Sequence, residues 1–283
     1  MMRWDFGQVY KTIRTSKGLT QKQICGDRIS RSTLARIEKG EIVPSFENMI
    51  FLLDQVNMSL EEFRYVCHYY QTSERQTILA LSEKHTSFID NTELIKLKKL
   101  CISYLKKHHD IPIEQLLDRL DIVTHVRKFG GYSQDEKFQK LTQKIWTNLE
   151  KQNTWYESDL KLLSNILFHF PLDSVKAITP QILDSLEKYK NYHNIKPLQY
   201  QLLTNLATIY LYNNLIEECL NITLITLELS QEIKRYDYLG FSQIRIGICR
   251  KDDNLINKGI KILSLTNETS LLKIMKEEVK KFR

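Results

Sequence analysis

The side chains best suited to chemistry in this chain gather in one short run, Ile29-Ser-Arg-Ser-Thr-Leu-Ala-Arg-Ile-Glu-Lys-Gly40. Ser30 is placed to cap a helix whose first turn carries Arg31, Ser32 and Thr33, with Arg36 one turn further on. Leu34 and Ile37 form its apolar back. Such a tip suits a DNA major groove, because an Arg bonds a guanine edge through two contacts while Ser and Thr reach other base edges or a thymine methyl. Arg31, Ser32, Thr33 and Arg36 are therefore the expected base-reading residues on double-stranded DNA. Gln21, at the start of a preceding short helix, is expected on the DNA backbone through its amide and the N–H groups beside it. Lys17, Lys22 and Lys39 would add charge toward phosphates whatever the sequence. The plainer alternatives are that Ser30 is only a cap and that Arg36, Glu38 and Lys22 are solvated helix exterior.

Other chemistries find little support. The chain has no glycine-rich phosphate loop, no His-Glu-x-x-His zinc helix, no Gly-x-Ser-x-Gly elbow and no paired-cysteine metal motif. His108-His109 and the adjacent Cys67-His68 lack the remainder of a ligand set at usable spacing. An enzyme is not expected, nor a cofactor or a metal. The five cysteines, Cys25, Cys67, Cys101, Cys219 and Cys249, are scattered without a close pair in sequence, which suits small core residues in a reducing compartment, with an intersubunit bridge as the alternative.

The elements that must hold these groups are helical. Only 9 Gly and 5 Pro occur in 283 residues, and no stretch alternates apolar and polar residues over a strand length. An all-α fold follows. Trp4 to Ser16 places Phe6, Val9, Tyr10 and Ile13 at helical spacing and stops at Lys17-Gly18. Thr20 opens a second helix and Ser30 a third that ends at Lys39-Gly40. Pro44-Ser45 opens a fourth, and a fifth begins at Leu60 after Asn57-Met58-Ser59. These make a five-helix domain over residues 1–68. The polar run from residue 69 to 91 is expected to be a linker, its later part open to helix.

Residues 92–283 show segments of helix length, Thr92 to His108, Ile113 to Val126, Asp135 to Lys151 and Ser158 to Phe170. Further breaks fall at Pro171, Thr179-Pro180, Lys196-Pro197, Asn213-Asn214, Asp252-Asp253 and Thr266-Asn267. That rhythm predicts antiparallel helix pairs stacked as in tetratricopeptide (TPR) repeats, although the repeat's consensus residues are absent. A single irregular bundle is the alternative. The longest uncharged stretch, Pro197 to Ile216, contains Gln199, Gln201, Asn205, Asn213 and Asn214, which argues for a buried protein helix over a membrane span. No secretory leader is visible after Met1-Met2-Arg3-Trp4-Asp5, so a cytoplasmic location is expected. A net charge of +7, with 42% hydrophobic and 27% charged residues, fits a globular protein with an anionic partner.

The segments Gly18-Leu-Thr-Gln-Lys-Gln-Ile-Cys25, Ile29 to Gly40 and Pro44-Ser-Phe-Glu-Asn48 resemble the phage-repressor-like (XRE) helix-turn-helix family. The run departs from that pattern at Cys25, where a small residue is common, and at Gly26-Asp27-Arg28, which is one residue short, leaving the recognition-helix register open by one position. Such a domain followed by a long helical part resembles the Rgg/GadR/MutR regulators. The resemblance implies a homodimer on paired half-sites, with a short peptide pheromone bound on the concave face of the repeats. Within it, Gln201, Asn205, Thr208 and Tyr212 share one face of a helix and could satisfy the backbone of an extended peptide. Tyr238, Ser242 and Arg245 form a second stripe, Arg245 being suited to a peptide carboxylate, and Asn165 is a third candidate. The same amides could instead bond neighbouring helix ends. A protein partner, as for an antitoxin or immunity repressor, is the competing reading of this half.

Overall fold

The computed structural model describes residues 5–84, 91–129, 135–192 and 195–283, and the described residues form helices without strands. Two compact units divide the chain, Met1–Ile113 and Glu114–Arg283.

The first unit begins with α1 (Phe6–Ser16), α2 (Gln21–Cys25), α3 (Arg31–Glu38), α4 (Phe46–Gln55) and α5 (Leu60–Cys67). Four of these starts follow from side-chain hydroxyls. Thr20, Ser30, Ser45 and Ser59 each accept a hydrogen bond from the backbone N–H three residues on, satisfying a donor that has no partner inside the helix. At Thr20 the side chain of Gln23 reaches back to complete a capping box. Gly18 and Gly40 follow the ends of α1 and α3 at φ 70° and 77°, a conformation that costs a residue with a Cβ. Tyr10, Ile13, Ile24, Leu34, Ile37, Leu52 and Phe63 converge in one core that fixes α3 against α1 and α2. In the same unit α6 (Glu74–Lys84) and α7 (Asn91–Leu105) pack together. α6 occupies much of the stretch expected as linker.

The second unit contains nearly all of α8 (Ile111–Phe129), then α9 (Glu136–Leu149), α10 (Glu157–Ile166) with a 3-10 turn at Leu167–His169, and α11 (Leu172–Lys188). It continues with α12 (Lys196–Tyr212), α13 (Ile216–Glu232), α14 (Tyr236–Arg250), α15 (Asp253–Leu265) and α16 (Thr269–Phe282). From α11 to α16 each helix packs on its successor, while α10 also meets α12 and α14 meets α16. That pairing with the next and the next-but-one is the geometry of stacked helical hairpins. Each turn from α12 onward contains one left-handed residue, Asn214, Lys234, Lys251 and Asn267, which lets the chain reverse in two or three residues.

One expected break is corrected. Pro180 does not end a helix, since α11 runs through it. A proline costs one backbone bond there, but Val175, Ile178, Ile182 and Leu186 are buried on the same helix, and at roughly 1.5–3 kcal/mol per buried aliphatic side chain their burial outweighs it. The break at residues 233–235, between α13 and α14, has no Gly, Pro or Asn to mark it.

Candidate nucleic-acid interface and ligand surface

α3 is held from behind and open in front. Leu34 and Ile37 are fully buried, whereas Arg31, Ser32, Arg36 and Lys39 are exposed and Thr33 is half-exposed. Arg31 is the first residue of the helix after its Ser30 cap, which settles where the helix begins. Ser30 Oγ lies 2.8 Å from both Ser32 Oγ and Thr33 Oγ1 and accepts from the Thr33 N–H at 3.0 Å. The hydroxyls at the tip are thus ordered as a cluster, with Arg31 beside them. Arg36 Nε and Lys39 Nζ stand 3.6 and 3.7 Å from the carboxylate of Glu41, an exposed arrangement that leaves both cations reachable by phosphate. Lys17 and Lys22 are also exposed.

The face behind α3 contains a buried charge pair, Arg14 and Glu38. Glu38 is buried and takes two hydrogen bonds from Arg14 of α1, at 2.6 and 3.0 Å. Gln21, expected on the DNA backbone, donates its amide nitrogen to the same carboxylate at 2.8 Å. Arg14 also donates to the Leu19 carbonyl. Donating to the Glu38 carboxylate raises the Arg14 guanidinium above its ordinary range despite burial. This network ties α1, α2 and α3 into one block. The alternative that Glu38 is solvated helix exterior is thereby excluded, and its spacing from Leu34 already places it on the inner face.

In the second unit the two expected ligand stripes fall apart into reachable and committed groups. Gln201 and Tyr212 are exposed, the latter packed edge-on against Phe282 at 5.0 Å with Lys281 Nζ 4.1 Å from its ring centre. Asn205 is half-buried and donates to the Ser164 carbonyl at 2.9 Å, joining α12 to α10. Asn165 donates back to Lys161 of its own helix. Tyr238 is half-buried, stacked on Tyr200 at 3.8 Å, with the Arg235 guanidinium 4.2 Å from its ring centre.

Ser242, expected to face a ligand, is fully buried between Tyr200 and Thr226. Arg245 is buried as well, and its guanidinium is spent on Glu278 of α16, with bonds of 3.0, 2.7 and 2.6 Å, and on Thr208 Oγ1 at 2.6 Å. The carboxylate that Arg245 holds in this structure is therefore the protein's own. Thr208 in turn donates to the Thr204 carbonyl.

Among the described residues no group of three His, Cys, Asp or Glu side chains is placed to hold a metal ion. No described helix is long and apolar enough to cross a membrane.

A helix-turn-helix family model matches residues 11–63, which covers α2 and α3 and most of the elements packed around them. The carboxy-terminal domain of the HTH-type transcriptional regulator Rgg matches residues 103–277. Three solved structures share the fold over almost the whole chain. The SHP pheromone receptor Rgg2 of Streptococcus dysgalactiae aligns with TM-score 0.68 at 17% identity, covering 98% of this chain and 99% of that one. ComR of S. thermophilus, solved with DNA and its signalling peptide ComS, gives 0.67 at 16% identity over 97% and 98%. PlcR of Bacillus thuringiensis, solved with the peptide PapR7 and DNA, gives 0.65 at 19% over 97% and 98%.

Proposed function

We propose a function on one premise: the chain belongs to the Rgg family of HTH-type transcriptional regulators. It binds double-stranded DNA sequence-specifically as a homodimer, reads bases through α3, and answers to a short signalling peptide held by the carboxy-terminal helices. The observation that carries the DNA reading is the exposed tip of α3, with Arg31 at its first position and an ordered hydroxyl cluster beside it. Peptide control is supported by the relatives described above as a pheromone receptor and as peptide complexes. The chain acts by binding, without a catalytic step, and in the cytoplasm.

Arg31, Ser32, Thr33 and Arg36 face base edges, and Lys17, Lys22 and Lys39 face phosphates. Gln21 contributes the backbone N–H groups at the start of α2, since its amide is shared with Glu38. For the peptide, the groups on offer are Gln201, Tyr212, Tyr238, Asn165 and the carbonyl oxygen of Asn205; Thr208, Ser242 and Arg245 shape the surface from behind. A bound peptide changes the angle or spacing of the two DNA-binding domains of the dimer.

The test compares two single variants on cognate and random DNA after the bound promoters have been mapped in cells with and without conditioned medium. Arg31→Ala is expected to lose discrimination at one base pair, about 1–3 kcal/mol, while Lys22→Ala weakens all sequences alike and flattens the salt dependence. Equal losses on cognate and random DNA for Arg31→Ala overturn the assignment.

A further inference from the structure

α13 and α14 run antiparallel, so the start of one meets the end of the other. Cys219 sits one turn into α13 and Cys249 is the penultimate residue of α14. Thirty residues apart in sequence, their sulfurs are 3.6 Å apart, with the Cys249 thiol donating to Cys219 Sγ. Both are free thiols, Cys219 fully buried and Cys249 half-buried. A disulfide needs its sulfurs at about 2.05 Å, so the two side chains have the remaining gap to close. The hydrogen bond from Cys249 holds the Cys219 thiol below its ordinary range against the opposing effect of burial, and the Arg245 guanidinium adds to the lowering. The same contact, together with burial, pushes Cys249 up, so the pair has one thiolate to share. Cys25, Cys67 and Cys101 are buried on other elements, α2, α5 and α7.

We propose that Cys219 and Cys249 form a redox-active dithiol, which hydrogen peroxide converts into an intrachain disulfide that clamps α13 to α14. The thiolate on Cys219 attacks a peroxide oxygen, the O–O bond breaks, and the departing hydroxide takes the Cys249 proton to leave as water with Cys219 a sulfenic acid. Cys249, now the thiolate, then attacks the Cys219 sulfur, the S–O bond breaks, and the released hydroxide collects a solvent proton equal to the one lost on ionisation. Two thiols lose two electrons and one peroxide becomes two waters. The new bond adds a covalent tie to helices that already share packing, the Thr226–Ser242 hydrogen bond and the turn at residues 233–235. The clamp depends on no property of the bound signal.

The full-length chain is treated with equimolar hydrogen peroxide under native conditions, blocked with an alkylating agent and examined by intact mass and peptide mapping. The expected product is lighter by two hydrogens, yields a linked peptide containing Cys219 and Cys249, reverts with dithiothreitol, and melts several degrees above the reduced chain. Cys249→Ala abolishes the linked peptide and the melting shift; the mapping on the unaltered chain carries the test even if that variant folds poorly. Recovery of both cysteines as alkylated thiols after peroxide overturns the proposal, as does a linked peptide without any change in melting.

Discussion

At the scale of single residues, Arg245 separates a structural role from a ligand role. Its guanidinium and the Glu278 carboxylate are both almost wholly out of water, with side chains 2% and 5% exposed. Removing one partner strands the other charge, a cost of about 3–5 kcal/mol for a buried pair. Arg245→Ala should therefore lower the unfolding free energy of the full-length chain by that order, seen as a lower urea midpoint, and Arg245→Met combined with Glu278→Leu should recover most of the loss. A single variant with an unchanged midpoint would show that Glu278 finds water or another donor, and would return Arg245 to the set of groups available for a ligand. The neighbouring Phe241 ring, 4.4 Å from the guanidinium carbon, adds a cation–π contact that the Met side chain replaces by packing. Arg14 and Glu38 repeat the logic in the first unit, where the charges sit at positions 14 and 38 beside Ile13 and Ile37, on inward faces of α1 and α3. Opposite charges on two inward faces are the signal by which such a pair could have been anticipated.

Between elements, α1 approaches α3 closely at Gly7. A Cβ added at Gly7 would lie 1.7 Å from the Ile37 carbonyl oxygen, a backbone atom that cannot swing aside. Gly7→Ala must push the two helices apart and loosen the block that presents Arg31, so the expected cost is at or above the upper end of the ~1–3 kcal/mol typical of overpacking. Denaturant unfolding and DNA affinity should fall together; an unaltered unfolding midpoint would mean that α1 can slide freely. Nothing local in the sequence distinguishes Gly7 from a neutral glycine, because the constraint comes from a helix thirty residues away. Caps are different. Thr20, Ser30, Ser45 and Ser59 act through backbone groups three residues on, so their helix starts were legible from composition alone. Pro180 and the turn at residues 233–235 mark the other limit, where burial along α11 overrides a local breaker and a lysine adopts the left-handed turn that Gly or Asn would advertise.

For the molecule as a whole, the helix-turn-helix was legible because the residues proposed to face DNA lie within one run of 23, from Lys17 to Lys39, and each helix start in it is marked locally. The residues proposed to face a peptide were less legible. Periodicity placed Gln201, Asn205, Thr208 and Tyr212 on one face of α12, but which of them stay available depends on partners 41 and 37 residues away, Ser164 for Asn205 and Arg245 for Thr208. The small size of the α3 tip has a further consequence. One recognition helix offers a handful of base contacts, and at about 1–3 kcal/mol for each well-matched pair a single domain discriminates poorly among genomic sites. Two domains held by one dimer gain that discrimination twice, provided both half-sites face the same side of the duplex, about 10–10.5 base pairs apart or a multiple of it. Inserting about half a helical turn between the half-sites, roughly 5 base pairs, turns one half-site to the opposite face. The full-length chain should then bind no more tightly than it does to a single half-site, whereas a full-turn insertion restores part of the affinity. Equal affinity for all three spacings would overturn the homodimer and leave each chain to read its operator alone.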